Sequence, residues 1–122
     1  VGEVVGWLLD RDDRARLLAA FPPRFPEAVA HHVTLASDPQ RLMKLPTAGS
    51  ADIVGEACDE AGVQALVVAI DGSTERPGGG RYHITWSLGP GRRAKESNDV
   101  IARLGWRPIA EHVQIKLNPA RF

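Results

Sequence analysis

The chain has 122 residues, 15 Lys plus Arg balanced by 15 Asp plus Glu, and one cysteine, Cys58. That length supports a single domain, residues 1–122, and excludes two; the neutral balance argues against a protein that coats duplex DNA but allows one that grips a nucleotide or a nucleic-acid end. With no Cys-x-x-Cys pair, no apolar run of membrane-spanning length and no signal-peptide pattern, the composition points to a reducing, cytoplasmic setting.

The chain opens with Val1 rather than Met, which fits a removed initiator, a trimmed chain or one domain of a longer protein. Val4-Val5-Gly6-Trp7-Leu8-Leu9 reads as a strand. Asp10 is placed to cap the helix that follows, with Asp13 in a capping-box-like position. From Asp12 to Ala20, with Phe21 just beyond, Leu17, Leu18 and Phe21 recur at helical spacing while Arg14 and Arg16 lie outside; Pro22 and Pro23 stop the helix. A strand is expected at about Val29–Ala36 and an irregular loop from Pro39 to Ser50, with Pro46 and Gly49 inside it. Ile53–Asp59 is read as a strand because Asp59-Glu60-Ala61-Gly62 suits a hairpin turn, and Val63–Ile70 as its buried partner. Gly72–Gly80 reads as a mobile loop before a strand at Tyr82–Leu88, which Gly89-Pro90-Gly91 ends. Ser97 is a suitable N-cap for a helix from Asn98 to Leu104, closed by Gly105. Ile109–Leu117 alternates as a last strand. Six strands and two helices without a βαβ rhythm predict an α+β domain with mainly antiparallel sheet.

Two of these strands carry the same pattern, His32-Val33-Thr34-Leu35 and His83-Ile84-Thr85-Trp86. Residues two apart share a strand face. Each strand thus presents an imidazole and a hydroxyl together, and turns Val33, Leu35, Ile84 and Trp86 toward a core. A weak internal echo, with strand, helix and histidine strand first, then histidine strand, helix and strand, predicts a pseudo-twofold, bilobal arrangement around one cleft. Of two histidines that titrate near neutrality, one can take a proton while the other gives one. The threonines can donate to phosphate oxygens where charge must be held. The scheme uses no cofactor and no metal, and no metal-ligand motif is visible.

The paired motifs resemble the two-histidine (2H) phosphoesterase superfamily. Tyr82-His83-Ile84-Thr85-Trp86 followed by Lys95-Glu96-Ser97-Asn98 is similar to the cyclic phosphodiesterase domain of fungal tRNA ligases, and the Gly6-Trp7-Leu8-Leu9 strand and His32 motif match in order and spacing. The resemblance covers nearly the whole chain and is vague from residue 37 to 62. This chain departs from the family in its compactness and in carrying Trp86 where a small aliphatic residue is common. The resemblance implies a bilobal fold and metal-independent hydrolysis of a 2′,3′-cyclic phosphodiester, at an RNA end or on a small nucleotide, to a 2′-phosphate. It implies His32, Thr34, His83 and Thr85 as catalytic residues. Lys95, Ser97, Asn98 and Trp86 are the candidate substrate-binding residues.

Around these, Arg92 and Arg93 form a basic loop, His31 is read as turned from the cleft, and His112 as a surface or cleft-wall residue. Trp7, Tyr82 and Trp106 are aromatic groups that suit the core or a stacked base. Cys58 reads as a small buried hydrophobe. A monomer is expected. The rival readings are a non-catalytic module that binds phosphorylated RNA ends or nucleotides, and an interaction domain of a larger RNA-repair or defence protein.

Overall fold

The structure, a computed structural model, describes residues 3–37, 44–47 and 50–122. In chain order the elements are β1 (Val4–Leu9), α1 (Arg11–Ala20), β2 (Glu27–Ala28), β3 (His32–Ser37), β4 (Ala51–Cys58), β5 (Val63–Ile70), β6 (His83–Leu88), α2 (Glu96–Leu104), β7 (Arg107–Ile115) and β8 (Leu117–Arg121). Every pairing is antiparallel, in the order β7-β4-β5-β6-β3-β1-β8, with β2 beside β6. The α+β class is therefore as expected, with eight strands among the described residues rather than six. The two additional strands are short or carry proline. Pro119 lies in β8, an edge strand paired only with β1, where a missing backbone donor is tolerated.

β5 is buried along its whole length because both of its faces are covered. Leu66, Val68 and Ile70 enter a large cluster with Trp7, Leu17, Val33, Ile84, Trp86, Ile115 and Leu117. Ala65, Val67 and Ala69 enter a second cluster under Ile101 of α2. The large cluster draws on seven strands and on α1, so the sheet curls around it. β7 and β8, at opposite ends of the strand order, are separated in sequence by Lys116 alone. Lys116 is pinned there, its carbonyl accepting from the Asp10 amide at 3.0 Å and its amide donating to the Asp13 carboxylate at 2.6 Å.

Asp10 caps α1 as expected, accepting from the Asp12 and Asp13 amides. Asp13 does not complete a capping box, because its carboxylate is taken by Lys116 and Arg16. Arg14, expected to be outward, instead donates to the carbonyls of Ala30 (3.0 Å) and Val29 (3.1 Å), the residues just before His31 and His32. The Asp59–Gly62 hairpin forms, with the Asp59 carboxylate accepting from the Ala61 and Val63 amides. Of the expected loop at Pro39–Ser50, residues 39–43, 48 and 49 lie outside the described residues. Thr47 is described, and its carbonyl accepts from the Trp7 indole at 3.1 Å. Among the described residues no helix is long and apolar enough to cross a membrane.

Candidate functional site

The chain meets itself between the two motifs. β3 and β6 share one bridge pair, Val33 with Ile84, the central residues of the two His-x-Thr sequences. Both side chains are fully buried in the large cluster. Their neighbours on either side therefore face the opposite way. The antiparallel register steps His32 and Thr85 to one side of the pair and Thr34 and His83 to the other. β3 reaches this position after a bend at Ala30, which adopts a left-handed φ of 44° while Arg14 holds its carbonyl. Gly6 of β1, opposite Thr34, allows the close approach of β1: a Cβ there would collide with the Val33 carbonyl.

All four side chains line one cavity of about 290 Å³, with Arg76, Lys95 and Asn98 among the other walls. Two cations and, among the described residues, no carboxylate face it. The cavity is thus suited to an anion.

The two histidines are held differently. Nδ1–H of His83 donates to the Arg81 carbonyl at 2.9 Å, which fixes its tautomer and leaves Nε2 for a ligand. Burial lowers the pKa of His83; the Arg81 hydrogen bond opposes that, and the charge of Arg76 adds to it. His32 shares an Nδ1–Nδ1 hydrogen bond of 3.0 Å with His31, so its Nε2 is left out of that contact. Its ring also meets Phe122 edge-on at 4.7 Å. Burial first, then the charges of His31 and His83, push the pKa of His32 down to about 4.

The threonines differ as well. Thr34 is half-buried on the cavity wall. Thr85 is buried, and its hydroxyl lies 3.2 Å from the Ala94 carbonyl and 2.8 Å from the Ser97 hydroxyl. Thr85 donates to the Ala94 carbonyl, which leaves Ser97 as the donor to the Thr85 oxygen. A bound anion can draw the Thr85 proton away, because Ser97 continues to satisfy the Thr85 oxygen.

Among the expected substrate-binding residues, Lys95 and Asn98 reach the cavity. Ser97 does not cap α2. The helix begins at Glu96, and the Ser97 hydroxyl is buried against Thr85, so it supports the wall from behind. Trp86 is not in the cavity. It lies on the opposite sheet face, fully buried, its indole donating to the Phe21 carbonyl at 2.7 Å, as alternation along β6 requires. His31 is not among the residues that line the cavity; it is exposed and meets His32 edge-on. Arg92 is bound to Asp59 (2.6 Å) and Glu96 (3.1 Å) and braces the loop before α2, whereas Arg93 and His112 are exposed. Cys58 is half-buried rather than a core residue.

Arg76 is the site residue that sequence reading missed. The expected mobile loop at Gly72–Gly80 is a small hairpin closed by its own bonds, with the Arg76 amide donating to the Gly80 carbonyl and the Gly79 amide to the Arg76 carbonyl, each at 3.0 Å. Three glycines at positive φ make that turn, and the available signal was an arginine beside them. Among the described residues no group of three or more His, Cys, Asp or Glu side chains is arranged to hold a metal ion. Comparison of the chain with protein-family models, curated proteins and solved structures finds no match.

Proposed function

We propose that this protein is a metal-independent cyclic phosphodiesterase of the two-histidine type, which opens a 2′,3′-cyclic phosphate on an RNA end or small nucleotide and leaves a 2′-phosphate. One observation carries the reading: His32, Thr34, His83 and Thr85 line the same cationic cavity, large enough for one phosphate and its ribose. The fold is read with it as bilobal. β8-β1-β3 forms one half and β6-β5-β4-β7 the other, and an antiparallel pair such as Val33 with Ile84 has a local twofold between its strands.

We assign the roles from the differing environments. His32 is the base, since its depressed pKa keeps it neutral near pH 7. In the tautomer whose Nδ1–H donates to His31, its Nε2 takes a proton from water as the water oxygen attacks phosphorus. His83 is the acid. Its imidazolium keeps the Nδ1 bond to Arg81, and Nε2–H protonates the ribose 3′ oxygen as that P–O bond breaks. The phosphodiester's own negative charge favours the protonated form of His83. Thr34, Thr85, Arg76 and Lys95 stabilise the charge on the non-bridging oxygens.

The test is hydrolysis of nucleoside 2′,3′-cyclic phosphates in the presence of a chelator, with the product position read by phosphorus NMR. Turnover that vanishes in both His32→Ala and His83→Ala is expected. Undiminished turnover in both variants refutes the proposal. Saturable nucleotide binding with no product after long incubation assigns the cavity to a binding module instead.

A further inference from the structure

We infer that a second cavity next to the four-residue site holds the nucleobase carried by the ribose that bears the cyclic phosphate, so that the ligand is a nucleotide and not a base-free sugar phosphate. The inference rests on the proposed cyclic phosphodiesterase reading for the position of the phosphate. The cavity has a volume of about 540 Å³ and is walled by Arg76, Gly80, Asn98, Ile101, Ala102 and Trp106. That is within the ~300–1,000 Å³ common to small-molecule sites. Arg76 and Asn98 line both cavities, so the two are neighbours across a shared wall. A ribose at that junction directs its phosphate one way and its base the other.

The walls fit a base. Trp106 is half-buried, and its indole lies against Gly55 of β4, where any Cβ would collide with the ring. Gly55 thus seats the indole in one place, a low-entropy platform for stacking. Ile101 of α2 adds an apolar side, and the exposed Ala102 leaves the opening clear. Gly80 at φ +81° packs against the Asn98 amide, where a side chain would collide, and so sets the position of Asn98 at the junction. Trp106 is also the tryptophan able to report the event, because Trp7 and Trp86 are buried in the core.

The experiment is a fluorescence titration of the full chain with adenosine 2′-monophosphate, ribose 5-phosphate and inorganic phosphate. Adenosine 2′-monophosphate is expected to bind at least about tenfold tighter than ribose 5-phosphate and to quench tryptophan emission. Trp106→Ala removes the reporter, so its binding is read by titration calorimetry, and the variant should bring the adenosine 2′-monophosphate affinity down to that of ribose 5-phosphate. Ala102→Leu narrows the cavity from an exposed helix position without touching the core, and should also reduce the difference. Equal affinities for the two sugar phosphates in the unmodified protein overturn the inference, as does a preference that survives Ala102→Leu in a folded protein. Histidine-dependent hydrolysis with no base preference would leave the enzyme reading intact and remove this one. Trp106-dependent nucleotide binding without hydrolysis would do the reverse.

Discussion

The two His-x-Thr segments are nearly the same on paper and differ in their surroundings. His83 has a single backbone acceptor, the Arg81 carbonyl, and its threonine partner is buried on Ser97 and Ala94. His32 is bounded by side chains, His31 and Phe122, and Thr34 stands half-buried. One motif is built into the sheet and the start of α2, the other into a strand whose neighbours are aromatic rings. Sequence symmetry therefore does not give identical surroundings; in the proposed enzyme the two similar motifs become a base and an acid through what lies behind each ring.

Alanine at either histidine gives the largest effect expected. Each of His32→Ala and His83→Ala should lower kcat/KM on a nucleoside 2′,3′-cyclic phosphate by roughly 100- to 10,000-fold, with the far-UV spectrum unchanged. Retention of activity in one of the two would break the pairing of roles.

The threonines sharpen the comparison. Thr34→Val and Thr85→Val should each cost about 100-fold in turnover by removing a donor to the phosphate. They should differ in stability. Thr85→Val leaves the Ala94 carbonyl and the buried Ser97 hydroxyl without their partner, a loss of ~1–3 kcal/mol in urea unfolding. Thr34→Val should stay close to the parent protein. Equal stability losses would show that the two hydroxyls are held alike after all.

Titration separates the histidines next. His32 has a folded pKa of about 4, below the unfolded imidazole value of about 6.5. The unfolded chain then binds the extra proton between those values, so the stabilising contribution is complete above about pH 6.5 and is lost as pH falls toward 4. His83, also lowered, adds in the same direction. Unfolding free energy should therefore decline from pH 7 to pH 4, with a shallower decline in His32→Asn. For catalysis, kcat/KM should rise through the His32 value and fall through that of His83, giving an optimum on the acid side of neutrality. An optimum well above pH 7 would show that the two rings do not titrate where their burial places them.

The smallest effect on turnover is expected at Trp86→Phe. It removes the bond to the Phe21 carbonyl and some core volume, costing ~1–3 kcal/mol of stability, and leaves kcat/KM within about twofold. A large loss of turnover without loss of stability would return Trp86 to the substrate side.

The site was legible where alternation decides it. Strand parity placed His32 with Thr34 on one face of its strand and His83 with Thr85 on one face of the other, and turned Val33, Ile84 and Trp86 the opposite way. Parity cannot say which strands become neighbours, so the Val33–Ile84 bridge was not readable. Ser97 misled because a serine before a helical stretch has two uses, capping and burial against another hydroxyl, and only tertiary packing chooses. Arg76 was hidden in a glycine-rich stretch that read as a mobile loop and that folds back on itself. β8 was missed because Pro119 discounts a strand unless that strand is known to be an edge.

The single-residue link at Lys116 has a consequence for how the chain is made. β1 pairs with β8 through contacts such as Leu9 with Leu117, so β1 leaves the ribosome well before its partner. Until β8 follows, the outer row of amides and carbonyls on β1 is an unmated border, open to a neighbouring chain. A polypeptide cut before Leu117 should keep that border permanently and form oligomers visible by light scattering, while the intact chain at the same concentration stays dispersed.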